Sequence, residues 1–490
     1  MKPSLTRLLS GFAIVSTFTT LSALTQDKST ETEITRVRTE DHLVPHTSTM
    51  PANEGDLVHL FVRERFAATN KSLGKPVLMV HGRSVPALAG FEVKHDEYDW
   101  ALALAKAGMD VFMVDLQGAG RSPRPKMDNP CNVPDAQQNL LLTPYQLPVL
   151  TPEGAKTCKE LQTDPNFPEY RKYPFRLALS SNEWSELDTV IEYIRQLRGV
   201  EKVALVSWSR GSLVAGPYTV QHPEKVESLF LLAPIFNPNA VPGLPYLGPA
   251  APAGFDPPVK PGTDSTGRAI VIPCTRAEVM SGACAGVIDR KLEAPENAAN
   301  PTMTLTPRNN IVDAQGRLLL EGLMGRWNRE LQCENQRDDA IQDVIWRTVM
   351  ENDELGRTWG APPAGAPAGS PPEGVIRVRS FVPWGWNTET ASNVHVPVLL
   401  IFGELDTEGR AEGFPVAVNS SLLYDTLPGS HKLLFKVGCA GHFMPWERQA
   451  KVLHQISKQW LKHGAVEDFT SGKFFVDAEG NLLPIGGGTH

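Results

Sequence analysis

The stretch VSWSRG, residues 206–211, decides how this chain is read. It sits between a buried-strand run, KVALVSW (202–208), and a helical pattern, SRGSLVAGPYTVQHPEKV (209–226). A strand turning abruptly into a helix can present a nucleophilic serine, but only if the residues two before and two after it are small. For Ser209 those flanks are Ser207 and Gly211, both small. For Ser207 they would be Leu205 and Ser209, and for Ser212 they would be Arg210 and Val214. Sterics therefore choose Ser209, held in a backbone conformation that costs roughly 1–3 kcal/mol.

A serine nucleophile needs a base within hydrogen-bond reach, and the base needs an orienting carboxylate. Both are expected on loops after later strands. Asp406 follows the apolar run VPVLLIF (396–402) in GELD, and His442 follows KLLFKV (432–437) in GCAGHF. Glu404, two residues earlier, is the competing acid, set aside because the strand is only just ending there. His81 is the competing base and is read as structural support for the loop that follows it. An oxyanion needs two backbone N–H donors. The residue after the nucleophile, Arg210, supplies one, and Arg83, after the strand KPVLMV, supplies the other. Their side chains either line the pocket mouth or pair with carboxylates.

Further strand patterns flank this segment. LVHLFVRERFA (57–67) alternates, whereas MDVFMVDLQG (109–118) and ESLFLLAP (227–234) are nearly continuous apolar runs. Helical spacing appears in HDEYDWALALAKAG (95–108), in residues 180–199, where Ser180 and Glu183 have the spacing of a capping box, and in 445–464. Strands alternating with helices, and apolar on both faces, predict an α/β fold with a mostly parallel central sheet and helices on both faces. The pattern breaks over 237–390, where two Pro/Gly-rich tracts surround a pair of predicted helices in 317–350. That segment reads as a large inserted cap. The core is then 25–236, carrying a second insertion at 124–175, and resumes over 391–490 with a C-terminal hairpin around Glu479 and Gly480.

The chain has 490 residues, of which 41% are hydrophobic and 21% charged, with a formal net charge of −8. This is a globular composition without the basic cluster that nucleic acid or an anionic membrane would require. Lys2 and Arg7 precede an uncharged apolar run to Leu24, so residues 1–24 read as a signal peptide and the chain as secreted or periplasmic, with no membrane contact after its removal. Six cysteines suit export. Proximity pairs Cys131 with Cys158 and Cys274 with Cys284, leaving Cys333 for Cys439. No Cys/His spacing suits zinc, so no metal is expected.

HGRS (81–84), DLQGAGRS (115–122), SWSRG (207–211), GELD (403–406) and GCAGH (438–442), in this order, resemble the α/β-hydrolase fold superfamily. Within it they resemble the serine hydrolase branch that includes esterases and proline iminopeptidase-like exopeptidases. The resemblance implies a central sheet, a cap over the site and no cofactor; a cap of this size favours a small or medium ester as substrate. Enzymes of this fold that act on haloalkanes or epoxides use Asp where this chain has Ser209. Ser207 departs from the usual elbow glycine and reads as a small filler or as a hydrogen-bond donor near the nucleophile. The alternative, an exopeptidase or amidase, needs carboxylates for a substrate ammonium; Glu351, Asp353 and Glu354, or Asp338 and Asp339, are the candidates. Trp327, Trp346, Trp359, Trp384 and Trp386 make either an aromatic pocket or the cap's own core.

Overall fold

The computed structural model describes residues 36–50, 53–68, 75–83, 85–124, 180–236, 303–379, 387–407 and 420–485, with shorter stretches of 127–166 and strand pieces at 22–23, 259–263 and 269–273. The Cys274–Cys284 pairing, Trp384, Trp386 and most of the signal segment lie outside the described residues.

One large sheet organises the chain. Its strands are β1 (Ser22–Ala23), β2 (Val37–Thr47), β3 (Leu57–Ala67), β4 (Pro76–Val80), β5 (Asp110–Val114), β6 (Val203–Trp208), β7 (Val226–Leu232), β8 (Val398–Gly403), β9 (Lys432–Val437), β10 (Gly472–Val476) and β11 (Asn481–Pro484). Their spatial order is β1-β11-β10-β9-β8-β7-β6-β4-β5-β3-β2. From β10 through β5 every neighbouring pair is parallel, and the outer pairs are antiparallel. The central strands β4, β5 and β6 are buried at every position. That is why they read as continuous apolar runs rather than alternating ones.

Alternate residues of these strands feed two separate cores. Val77, Met79, Ala204 and Val206 point to one face, covered by α1 (Ala87–Phe91), α2 (Trp100–Lys106) and the C-terminal helix. Leu78, Val80, Val203 and Leu205 point to the other, covered by α3 (Ser180–Arg198) and α4 (Ser212–Gln221). The helices of the inserted segment, α5 (Leu323–Asn328) and α6 (Ile341–Glu351), share the first core through Met324, Trp327, Ile345 and Val349. The C-terminal helix, α7 (Ala450–His463), ends at Gly464, whose φ of 68° supplies the left-handed cap.

Two boundaries differ from the sequence reading. The helix predicted from residue 95 begins only at Trp100, because the Asp99 side chain accepts from the Leu102 N–H and caps it there. The helix predicted from 317 begins at Leu323. Leu318–Leu320 instead pairs with Ile311–Val312 as a small hairpin. The Glu183 side chain, read as half of a capping box, accepts from the Arg210 guanidinium, and the Ser180 side chain lies outside the described residues. Within the segment read as a signal, Ser22 and Ala23 pair with Leu482 and Asn481 at the sheet edge.

Candidate active site

β6 delivers its chain directly into the elbow. Trp208 is extended, with φ −116° and ψ 133°, and Ser209 then adopts φ +55° before the helical turn that starts α4. A left-handed conformation at a non-glycine residue is a strained arrangement that persists only where the surroundings enforce it. Those surroundings are tight. A Cβ on Gly211 would lie 2.8 Å from the Val80 carbonyl oxygen, 3.0 Å from that of His81 and 3.3 Å from the Ser207 Cβ. A Cβ on Gly82 would lie 3.4 Å from the Ser209 Cβ, so the loop that carries Arg83 runs against the serine. Ser207 fills the space opposite Gly211. Its hydroxyl is buried and has no hydrogen-bond partner among the described residues, which leaves the filler reading.

The ends of β6, β8 and β9 bring Ser209, Asp406 and His442 into one hydrogen-bonded line. Ser209 Oγ lies 2.8 Å from His442 Nε2, and His442 Nδ1 lies 3.1 Å from both oxygens of Asp406. The imidazole thus donates from Nδ1 to the carboxylate and accepts the serine hydroxyl at Nε2. All three side chains are buried, with Ser209 the most open at 9% exposure. The competitors are elsewhere. Glu404 is exposed, with Lys436 Nζ 3.3 Å from its carboxylate. His81 is buried; its Nδ1 donates to the Gly82 carbonyl at 2.6 Å, and its Nε2 accepts from the Leu116 N–H at 3.2 Å.

The DLQGAGRS segment is a support for this end of the sheet. Asp115 accepts from the N–H groups of Ala87 and Arg121, and a Cβ on Gly120 would overlap its carboxylate at 1.9 Å. Ser122 donates to the Asp115 carbonyl at 2.5 Å and accepts from the Phe61 N–H.

A family model described as the alpha/beta hydrolase fold matches residues 75–259. Together with the strand order and the elbow at the end of β6, this decides the architecture. The chain has the alpha/beta hydrolase fold. No curated protein matches its sequence. Similar solved structures include a bromoperoxidase from Bacillus anthracis, 13% identical, covering 87% of this chain and 100% of that one with a TM-score of 0.40. Naproxen esterase (carboxylesterase NP) from Bacillus subtilis is 12% identical, covering 86% and 92% with a TM-score of 0.40. A 2-hydroxy-6-oxo-6-phenylhexa-2,4-dienoate hydrolase from Rhodococcus is 14% identical, covering 86% and 99%, also at 0.40.

Around the elbow of this alpha/beta hydrolase fold, Arg210 does not line a pocket mouth. Its guanidinium is buried and donates to both oxygens of Glu183 on α3, at 2.6 and 2.7 Å. Arg83 is half-buried on the loop after β4.

The carboxylates of the inserted segment named above are either paired or exposed. Asp353 is buried and held by Arg377, whose Nε and Nη2 both reach it. Asp338 pairs with His95 at 2.9 Å, and Glu351 and Asp339 are exposed. Trp327 and Trp346 belong to the main core, and Trp359 to a smaller one with Met127 and Val375. The described tryptophans therefore serve packing. Among the described residues, two clusters have the ligand types a metal could use. In Glu40–His42–Glu64, Glu64 is already bound by both His42 and Arg198, and His95–Asp96–Asp338 contains the pair just described.

Sequence reasoning missed two buried carboxylates behind the histidine. Glu330, just after α5, accepts from the His442 N–H through Oε2 and from the Thr407 N–H through Oε1, both at 2.6 Å. Burial pushes its carboxyl up to about 7; the Asp406 charge pushes the same way, and His442 opposes it. Glu447 accepts from the Gly441 N–H at 2.7 Å and from Trp327 and Gln336, and burial raises it too. The Cys333–Cys439 disulfide joins the same two segments, and Cys131–Cys158 closes a second loop.

Proposed function

We propose that this protein is an exported serine hydrolase that cleaves carboxylic esters of small or medium size through an acyl-enzyme on Ser209. The observation that carries the reading is the unbroken line from Ser209 Oγ through His442 to Asp406, with the serine held at φ +55°.

In the first half-reaction His442 Nε2 takes the hydroxyl proton while Ser209 Oγ attacks the ester carbonyl. Asp406 holds the imidazole in the tautomer with its proton on Nδ1 and stabilises the imidazolium. The backbone N–H groups of Arg83 and Arg210 receive the oxyanion, a contribution worth on the order of 10²–10³ in rate per donor. Collapse of the tetrahedral adduct breaks the carbon–oxygen bond, and the imidazolium returns its proton to the leaving alcohol. Water then repeats the sequence against the acyl-enzyme, releasing the acid and restoring Ser209.

Two closed disulfides fit an oxidising compartment. Among the described residues no helix is long and apolar enough to cross a membrane.

The test compares wild type with Ser209→Ala on p-nitrophenyl esters of increasing acyl length and on aminoacyl p-nitroanilides. The reading expects ester turnover that falls on the order of 10⁶-fold in the variant. Ester turnover surviving in Ser209→Ala at the wild-type rate would remove Ser209 as nucleophile. Turnover of the anilides alone would move the protein to the exopeptidases.

A further inference from the structure

The loop that carries His442 is short of internal support. β9 ends at Val437, Cys439 adopts φ +51°, and the imidazole must then meet two partners at once. Part of its frame comes from the sheet domain. The Leu405 N–H donates to the Ala440 carbonyl at 2.8 Å, and Trp208 Nε1 donates to the His442 carbonyl at 3.0 Å. The N–H of His442 itself, however, goes to Glu330, which lies 112 residues earlier in the sequence.

The other oxygen of Glu330 accepts from both the N–H and the hydroxyl of Thr407, the residue that follows Asp406. One fully buried carboxylate thus bridges the backbone at the proposed base and the backbone next to the proposed acid. Its approach leaves no room for a side chain at 441, where a Cβ would lie 2.4 Å from Glu330 Oε2. The segment that supplies it is fastened on the same side. Cys333 is bonded to Cys439, Gln336 donates to Glu447 at 3.1 Å, and the Arg448 N–H donates to the Gln336 carbonyl at 2.8 Å.

We propose that Glu330 is a positioning residue for the His442–Asp406 pair, setting the spacing of base and acid by clamping the N–H of His442 and both the N–H and the hydroxyl of Thr407. The proposal rests on the serine hydrolase reading above. An ionised carboxylate can accept from both sides, whereas a carboxamide presents one oxygen and one amino group, and the amino group cannot accept. Glu330→Gln therefore strands one of the two buried N–H groups, and the loop must shift to satisfy it. The substitution also removes a titratable carboxyl beside His442, one that burial raises to about 7 and that carries its charge above that pH. Among the described residues, the titratable groups facing Glu330 are Asp406, His442 and Glu447, with Arg337 over the Trp327 ring behind them. A nearby negative charge favours the imidazolium, so its loss moves the acid limb of the rate profile to lower pH.

The experiment measures kcat and KM from pH 4 to 9 on the best p-nitrophenyl ester, for wild type, Ser209→Ala, Glu330→Gln and Glu330→Asp, with folding checked by near-UV circular dichroism. Misplacing reacting groups by about 1 Å costs on the order of 10²-fold in rate. Glu330→Gln should accordingly lose about 10–100-fold in kcat with KM within about twofold, and its acid limb should move down. Glu330→Asp keeps the charge and should restore the limb while kcat stays depressed. Unchanged kcat and an unmoved limb in folded Glu330→Gln overturn the proposal. If neither Glu330 variant folds, Thr407→Val decides by removing the hydroxyl, one of the three hydrogen bonds the Glu330 carboxylate accepts. A fall in kcat of a few-fold at constant KM supports the clamp, and no change overturns it. Should Ser209→Ala keep wild-type turnover, it is the hydrolase reading that fails; a dead Ser209→Ala beside an unaffected Glu330→Gln sinks the clamp alone.

Discussion

The elbow and the histidine loop hold the two ends of one hydrogen bond, yet they are built in opposite ways. Most of what holds Ser209 lies at the ends of two adjacent strands and in the elbow itself: the carbonyls of Val80 and His81, the small side of Ser207, and the missing side chain at Gly211. The loop of His442 shares its support between the sheet domain and the inserted segment, whose Glu330 takes the His442 N–H and whose Cys333 is bonded to Cys439. A tight turn between buried strands constrains itself through sterics. A loop with a left-handed residue at Cys439 and a glycine at 441 has to borrow its rigidity. The inserted segment is therefore part of the frame of the proposed active site.

Breaking the borrowed support should have the largest effect on stability. Cys333 and Cys439 are 106 residues apart, and closing a loop of that size stabilises by about 4–5 kcal/mol on the chain-entropy model. The pair Cys333→Ser and Cys439→Ser should therefore lower the urea midpoint, read by tryptophan fluorescence, and lower kcat under conditions where the protein stays folded. A folded double variant with wild-type kcat would mean that the carboxylates alone hold the loop, which would sharpen the contrast rather than dissolve it.

The elbow has one borrowed contact of its own, and it tests whether the contrast is complete. Arg210 and Glu183 form a buried ion pair. Removing one member of such a pair costs about 3–5 kcal/mol, because the other charge is left in the interior. Glu183→Leu should destabilise by that amount in urea titration. Adding Arg210→Met to it should recover most of the loss. If the double variant stayed as unstable as the single one, the pair would be holding the elbow in place as well as neutralising itself.

The same contrast explains what could be read from the sequence. Ser209, Gly211 and the strand ends before Asp406 and His442 announce themselves through local size and hydrophobic runs, where one residue restricts its near neighbours. Gly403 belongs with them: a Cβ there would lie 2.2 Å from the Ala440 carbonyl, so the first residue of GELD is required by the crossing of the histidine loop. Glu330 carries no such mark. It sits in RELQC, an ordinary polar stretch, and its role exists only because the chain returns to the sheet beside residue 441. The single usable hint was the pairing of Cys333 with Cys439, which brings the 330s to the histidine loop. Leu318–Leu320 misled for a related reason, since its apolar run pairs with Ile311–Val312 instead of continuing into α5. Glu183 has a partner that no local pattern announces, since Arg210 lies across the core.

The smallest change in covalent structure makes the sharpest probe of the self-held side. Gly211→Ala adds one methyl group, and it would come within 2.8 Å of the Val80 carbonyl oxygen, a backbone atom of a fully buried strand. Neither β4 nor the elbow can give way without disturbing the hydrogen bonds between them. Overpacking of this kind costs about 1–3 kcal/mol. That is less than either loss above, but it falls on the turn that aims Ser209. The expected result is a modest drop in the urea midpoint with a disproportionate drop in kcat, because the strained φ of +55° depends on the turn's closeness to β4. If Gly211→Ala kept both its midpoint and its kcat, the elbow would not be held by sterics, and the distinction between a self-held nucleophile and a borrowed base would fail on the side where it was thought strongest.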